Sequence, residues 1–319
     1  MPRSLIVLPE DSSRPILDAI RGASKSLRIK MFMLSDPRVL RALLQAHKRS
    51  VTVRIMLSPH RRNGERQNAA SRRVLKRGGV EVLDTSPAFD VTHEKSMIAD
   101  GKIAFVQSLN WTPRNFKETR DYAVVTTDPR EVAEIIECFE ADWRRKQFSP
   151  AKRSHLIWCP QEGRERIVSF IDSAKRSLIV QNERYQDAII IEHIVRAKLR
   201  GVKVHVMSRP PHSLRAEKLI EDIGGLQLMH AAGITIRKLK HLKLHAKILL
   251  ADRRKAIIGS INLSPGSFDR RRELAIEVKD KDVLHRLHKA VHHDWKKSRT
   301  LDLMDIAMLA GSKRAPNSS

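Results

Sequence analysis

Two short clusters of polar residues carry the chemistry of this 319-residue chain. The first runs His93, Lys95, Asp100, Ser108, Asn110, Asp121; the second runs His245, Lys247, Asp252, Ser260, Asn262, Glu273, each 152 residues after its counterpart. The register extends beyond the clusters, because Asp142-Trp143 recurs as Asp294-Trp295. In His245-Ala246-Lys247-Ile248-Leu249 the alternation suits a strand, which would put an imidazole and an ammonium on one face. With an amide and a hydroxyl beside them, such a group can hold a tetrahedral, doubly oxygenated anion and do chemistry on it. One cluster alone also fits a basic strand with a structural histidine. A full set of matches at one offset does not.

Cleaving a phosphodiester takes a nucleophile in line with the leaving oxygen, a proton for that oxygen, and cations for the charge between. Two imidazoles on opposite sides of one phosphate meet the first two needs without a metal or other cofactor. Lys95, Lys247, Asn110 and Asn262 then surround the non-bridging oxygens. A nucleophilic histidine needs its other nitrogen held, usually by a carboxylate. Asp121 and Glu273, each 28 residues after the histidine of its own cluster, stand where the phospholipase D superfamily, which both clusters resemble, carries such a carboxylate, and the resemblance implies that they do this, with Glu118 as a fallback in the first half. The competing account has these acids neutralise Arg120 and Arg272. Asp100 and Asp252 are expected to hold turns, whereas Ser108 and Ser260 divide between donating to phosphate and capping a loop.

The stretches HEKSMIAD with QSLN, and HAKILLAD with GSIN, resemble the phospholipase D superfamily, marked by H-x-K-x4-D followed by G-S-x-N and a later carboxylate. The resemblance covers most of the chain. It implies an α/β fold of two phospholipase D-like domains, with mixed sheets flanked by helices, related by a pseudo-twofold axis that brings both clusters to one cleft. It also implies a phosphohistidine intermediate, with His93 as nucleophile and His245 as acid and base; the clusters themselves leave that order open. Gln107 departs from the pattern where Gly is usual, so the first half-site is expected to be shaped differently. Members similar in motif include phospholipases, cardiolipin and phosphatidylserine synthases, nucleases and tyrosyl-DNA phosphodiesterases, so the motif leaves the substrate open.

The elements that must position these residues repeat as well. In both halves strands alternate with amphipathic helices, the pattern of sheets covered by helices. The helix over 214–232 is expected to break at Gly224-Gly225. A junction near Phe148-Ser149-Pro150-Ala151 divides the chain into domains 1–150 and 151–311, followed by a disordered tail, 312–319.

Sixty-one Lys and Arg against 36 Asp and Glu give a formal charge of +25, which attracts polyanions. An anionic membrane and a nucleic acid both qualify. Arg270, Arg271 and Arg272, with His60-Arg61-Arg62, are expected to crown the site and grip substrate. Two Tyr and 4% aromatics offer few stacking platforms for single strands, and no apolar hairpin is evident for dipping into lipid. A phospholipid phosphodiester is therefore the first expectation for substrate, nucleic acid the second, and non-catalytic polyanion binding the third. No run of 18 apolar residues is present, and two cysteines suit a reducing compartment. A cytoplasmic protein, peripheral on the inner membrane face, is expected. Because one chain carries both clusters, a monomer suffices for one site.

Overall fold

The computed structural model describes residues 3–59, 68–210 and 216–303. The tail 312–319 and His60-Arg61-Arg62 lie outside the described residues. The first half contains β1 (Arg3–Leu8), α1 (Arg14–Gly22), β2 (Ser26–Met31), α2 (Pro37–Lys48), β3 (Thr52–Leu57), α3 (Ala69–Arg77), β4 (Glu81–Asp84), β5 (Val91–Thr92), β6 (Ser96–Ala99), β7 (Ile103–Gln107), α4 (Pro113–Glu118), β8 (Thr119–Thr126) and α5 (Pro129–Trp143). The second half replays this order as β9 (Leu156–Cys159), α6 (Gly163–Asp172), β10 (Ser177–Asn182), α7 (Ala188–Leu199), β11 (Lys203–Ser208), α8 (Ala216–Ala231), β12 (Thr235–Lys238), β13 (Lys243–Leu244), β14 (Ile248–Ala251), β15 (Lys255–Gly259), α9 (Pro265–Asp269), β16 (Arg271–Val278) and α10 (Lys281–Lys296), then adds β17 (Arg299–Thr300).

Each half builds a mixed sheet, in the order β1-β8-β7-β6-β2-β3-β4 and β17-β12-β11-β10-β14-β15-β16. β2, β3 and β4 run parallel and need helical crossovers, whereas β6, β7 and β8 are antiparallel neighbours, with α4 between β7 and β8. The crossover helices start where the sequence says they should. Pro37 opens α2 behind Asp36, whose carboxylate accepts from the N–H groups of Arg38 and Val39. Asp187 likewise accepts from Ile190 N–H to open α7. Each cap is worth about 1 kcal/mol. α8 runs unbroken through Gly224-Gly225, contrary to the expected break. A Cβ on Gly225 would stand 2.0 Å from the Tyr185 carbonyl oxygen, so this glycine lets the helix approach the neighbouring loop.

The halves are interleaved. β5 of the first half pairs with β16 of the second at Arg271 and Arg272, and β13 of the second pairs with β8 of the first at Thr119 and Arg120. Each half has a core of its own, and a third apolar cluster joins Val7, Val106 and Tyr122 to Ile248, Ile258 and Leu274. The reciprocal pairings are what a pseudo-twofold axis demands.

That interleaving revises one expectation about the motif. His93–Lys95 and His245–Lys247 are not strand residues. They span the gap in which the chain leaves the opposite half's sheet and enters its own hairpin. His93 N–H donates to the Arg272 carbonyl and His245 N–H to the Arg120 carbonyl, across the interface in both cases. These bonds to the foreign strand take the place of the ladder that an ordinary strand would have had.

Candidate active site

Both histidines line one cleft of about 540 Å³ between the halves. Asn110 and Asn262 line it as well, and the side-chain oxygen of each is buried with no hydrogen-bond partner. An orphaned buried amide oxygen costs free energy unless a ligand satisfies the group. The two amides therefore mark the floor of a polar binding site. Because amide O and N positions are interchangeable by rotation, each Asn can present its NH2 to an anion.

The carboxylates orient the histidines, but crosswise. His93 Nδ1 lies 2.9 Å from Oε2 of Glu273, and His245 Nδ1 lies 2.7 Å from Oδ1 of Asp121. Pairing within each half, the expectation from the 28-residue spacing, is thus replaced by pairing between halves. The cause is the strand exchange: β5 lies along β16, which carries Glu273, and β13 lies along β8, which carries Asp121. The fallback residue Glu118 is at the surface, paired with Lys243 at 3.3 Å. With Nδ1–H given to a carboxylate, Nε2 of each imidazole is the nitrogen left for chemistry. Burial raises the Glu273 carboxyl, but the facing His93 and Lys95 more than offset it and hold it below its ordinary range. Asp121, under the same burial, is held down by His245 and Lys247.

Burial pushes His93 down to about 3, helped by Lys95 and opposed by Glu273, so its imidazole is neutral at physiological pH. Burial also lowers Lys95 to about 7, with Lys247 adding to the shift and Glu273 opposing it. Lys95 and Lys247 each donate to the carbonyl of the histidine two residues before, which curls the ammonium back beside the imidazole.

Other expected site residues are placed away from the cleft. Ser108 and Ser260 are wholly buried. The Ser108 hydroxyl donates to Asp121 at 2.6 Å and accepts from Tyr122 N–H; that of Ser260 bonds the backbone of Leu274. They brace the carboxylate-bearing strands and do not line the cleft. Arg272 is also buried, in a two-pronged ion pair with Asp142 at 3.0 and 3.2 Å, while its counterpart Arg120 grips Asp294 at 2.8 Å. Both pairs cross between halves, which explains why the Asp-Trp pairs repeat. It also removes Arg120 and Arg272 as neutralising partners for Asp121 and Glu273. Arg270 is exposed and bonds Asp90; of the three arginines Arg271 lines the cleft. Asp100 and Asp252 accept backbone N–H groups from residues 24–26 and 175–177, as turn-holding residues do. Gln107, which stands where Gly is usual, is buried off the cleft lining and accepts from Trp111 Nε1 at 3.0 Å. Its counterpart Gly259 must be small, since a Cβ there would lie 2.4 Å from Ala275 Cα.

Glu183 was not singled out by the sequence. It lines the cleft, with its Oε2 2.8 Å from Lys247 Nζ and 3.8 Å from His245 Nε2. Among the described residues, one group of potential metal ligands converges: Glu94, Cys138 and Asp142. The Lys30 ammonium already sits among them, at 3.0, 3.1 and 2.6 Å, so the group is an ion-pair core. No helix among the described residues is long and apolar enough to cross a membrane.

A family model described as "Cardiolipin synthase, PLD-like domain" matches twice, over residues 16–143 and 167–295. The human mitochondrial cardiolipin hydrolase is 29% identical over 161 residues, 49% of this chain and 62% of that protein. Cardiolipin synthase B of Salmonella typhi is 24% identical over 311 residues, covering 83% of this chain and 73% of that protein. The chain thus spans about three-fifths of the mitochondrial relative's length. Among solved structures, phosphatidylserine synthase of Haemophilus influenzae superposes with a TM-score of 0.73 at 11% identity, covering 96% of this chain and 88% of that one. That likeness concerns the fold.

Proposed function

The chain belongs to the phospholipase D superfamily, and from that premise we propose that it is a phosphodiesterase acting on phospholipid phosphodiesters of the cardiolipin class, by hydrolysis or by transfer to a second alcohol. Domains 1–150 and 151–311 each contribute one half of the site. The observation that carries this reading is the pair of imidazoles on one cleft, each held by a carboxylate from the opposite half.

In the first step the Nε2 lone pair of His93 attacks phosphorus, and the bond from phosphorus to the leaving alcohol breaks. His245 gives its proton to that oxygen. In the second step His245 takes a proton from water or an acceptor alcohol, whose oxygen attacks phosphorus and expels His93. Lys95, Lys247, Asn110 and Asn262 hold the non-bridging oxygens throughout, stabilising charge that grows in the transition state. Assignment of His93 as nucleophile is supported by its neutrality, since a protonated imidazole has no lone pair to give. The net charge of +25 suits peripheral binding to an anionic membrane.

The test offers anionic vesicles containing cardiolipin or phosphatidylglycerol, and plasmid DNA in parallel, all in EDTA. Release of the alcohol product, lost in His93→Ala and without DNA nicking, is the expected outcome. DNA nicking that weakens steeply with salt would instead favour a nuclease. Binding to both without turnover would leave a polyanion-binding protein.

A further inference from the structure

One break in the pseudo-twofold symmetry of the cleft lies just past the ends of β2 and β10. β2 ends at Met31 and β10 at Asn182, and the next residue in each case lines the cleft with its own half's histidine and touches that half's buried lysine. In the first half it is Phe32, whose ring meets the His93 ring edge-on at 5.0 Å, with Lys95 Nζ 5.4 Å from its centre. In the second half it is Glu183. One histidine thus has an apolar neighbour and the other a carboxylate.

Glu183 is held ionised by its surroundings: burial raises its carboxyl, but Lys247 and His245 more than offset this and carry it well below its ordinary range. Its Oε2 is shared by Lys247 and His245, while Oε1 has a contact of 3.5 Å to Arg209. A carboxylate oxygen can accept more than one hydrogen bond, so Oε1 has capacity left. An anion placed against Glu183 is repelled. A cationic group is disfavoured too, because Lys247 and Arg209 together outweigh the one carboxylate. A neutral hydroxyl suits the position best. The neighbouring His245 Nε2 is the atom that protonates the departing oxygen, so this hydroxyl belongs to the alcohol side of the phosphodiester.

We propose that Glu183 is a selectivity residue for a polyol alcohol: it accepts a hydrogen bond from a second hydroxyl of the leaving or entering alcohol, next to the oxygen that His245 serves. The inference rests on the proposed reaction and adds to it the residue that reads the alcohol's second hydroxyl.

The experiment compares kcat/KM for phosphatidylglycerol with that for phosphatidylpropanol, which has the same carbon chain in its headgroup but lacks the extra hydroxyls, in vesicles of otherwise identical composition. Bis(4-nitrophenyl) phosphate serves as a common reference. The wild-type protein prefers the glycerol headgroup, and Glu183→Ala reduces that preference at least about tenfold, the scale of one hydrogen bond to a charged group. Glu183→Gln, which keeps an accepting oxygen without the charge, falls between. Any unfolded fraction cancels in the ratio. If the ratio is unchanged in Glu183→Ala while both rates move together, Glu183 merely pairs with Lys247 and the inference is overturned. A wild-type protein inactive on all three diesters would sink the reaction itself, and the role of Glu183 with it.

Discussion

Glu273 belongs to the second half of the chain, yet its carboxylate lies 2.9 Å from Nδ1 of His93 in the first. Asp121 returns the relationship to His245 at 2.7 Å. Each acid therefore holds Nδ1 of the opposite half's histidine. Glu273→Gln and Asp121→Asn are each expected to lower kcat by about two to four orders of magnitude, because the wrong tautomer is favoured. The two variants separate by leaving group. With 4-nitrophenolate, which departs without a proton, Asp121→Asn recovers much of its loss and Glu273→Gln does not. Equal losses on activated and unactivated diesters would contradict the crossed assignment.

His93→Ala is expected to remove at least about three orders of magnitude of turnover and all covalent phosphorylation of the protein. His245→Ala slows both steps but leaves the nucleophile in place. Acid-quenched intact-mass spectra during turnover check this. An adduct in the wild type that persists in His93→Ala would move the nucleophile elsewhere.

Lys95 links pH to activity. Its ammonium is held down to about 7, chiefly by burial, and only the charged form stabilises the phosphate oxygens. kcat/KM is expected to fall above pH 7, by up to tenfold per unit. His93, with its ordinary value pushed to about 3, does not set the acid limb in the neutral range. A pH profile of kcat/KM on a soluble diester reads both statements, and a plateau extending past pH 9 would refute the first.

The same residue should cost stability. An unfolded lysine binds its proton up to about 10.5, whereas folded Lys95 releases it near 7. The penalty is therefore complete below pH 7 and fades as pH rises towards 10.5. Lys95→Met is expected to abolish activity yet gain about 1–2 kcal/mol in urea unfolding at pH 6, with the gain shrinking at pH 9. A loss of stability at pH 6 would show that the bond to the His93 carbonyl outweighs burial.

Arg271 and Arg272, though adjacent, should behave differently. Arg272→Ala removes one of the two cations on buried Asp142, leaving Lys30 as the other, and is expected to cost about 1.5–3 kcal/mol. Arg271→Ala, at the cleft wall, should raise KM with little change in unfolding midpoint. Urea melts and initial rates on the same preparations distinguish them.

The duplicated cluster, the fold class and the turn-holding aspartates were legible because each rests on residue type and local spacing. What the sequence concealed depends on which strand lies beside which. A 28-residue spacing is equally compatible with pairing inside a half or across the interface, and only the exchange of β5 and β13 decides it. The H-x-K segments alternate like strands, but their partners belong to the other sheet. Arg272 looked like a substrate grip because a triple arginine is usually solvated; Arg270 precedes β16, and alternation along the strand turns Arg271 to the cleft and Arg272 inward. Glu183 had a signal, though a weak one. Its counterpart Phe32 lies 151 residues earlier, one position out of the register that aligns the clusters, so the contrast of carboxylate with phenyl ring is missed unless the strand ends are aligned.

The exchanged strands also constrain how this chain can change. Because each of the two cleft histidines is held by an acid encoded in the other copy of the repeat, neither copy can drift alone: a lesion at Glu273 has to be compensated around His93, some 180 residues away. The duplication has therefore bound two once-equivalent segments into a single unit of selection, free to diverge in what they touch, as Phe32 and Glu183 have, but not in how they hold each other.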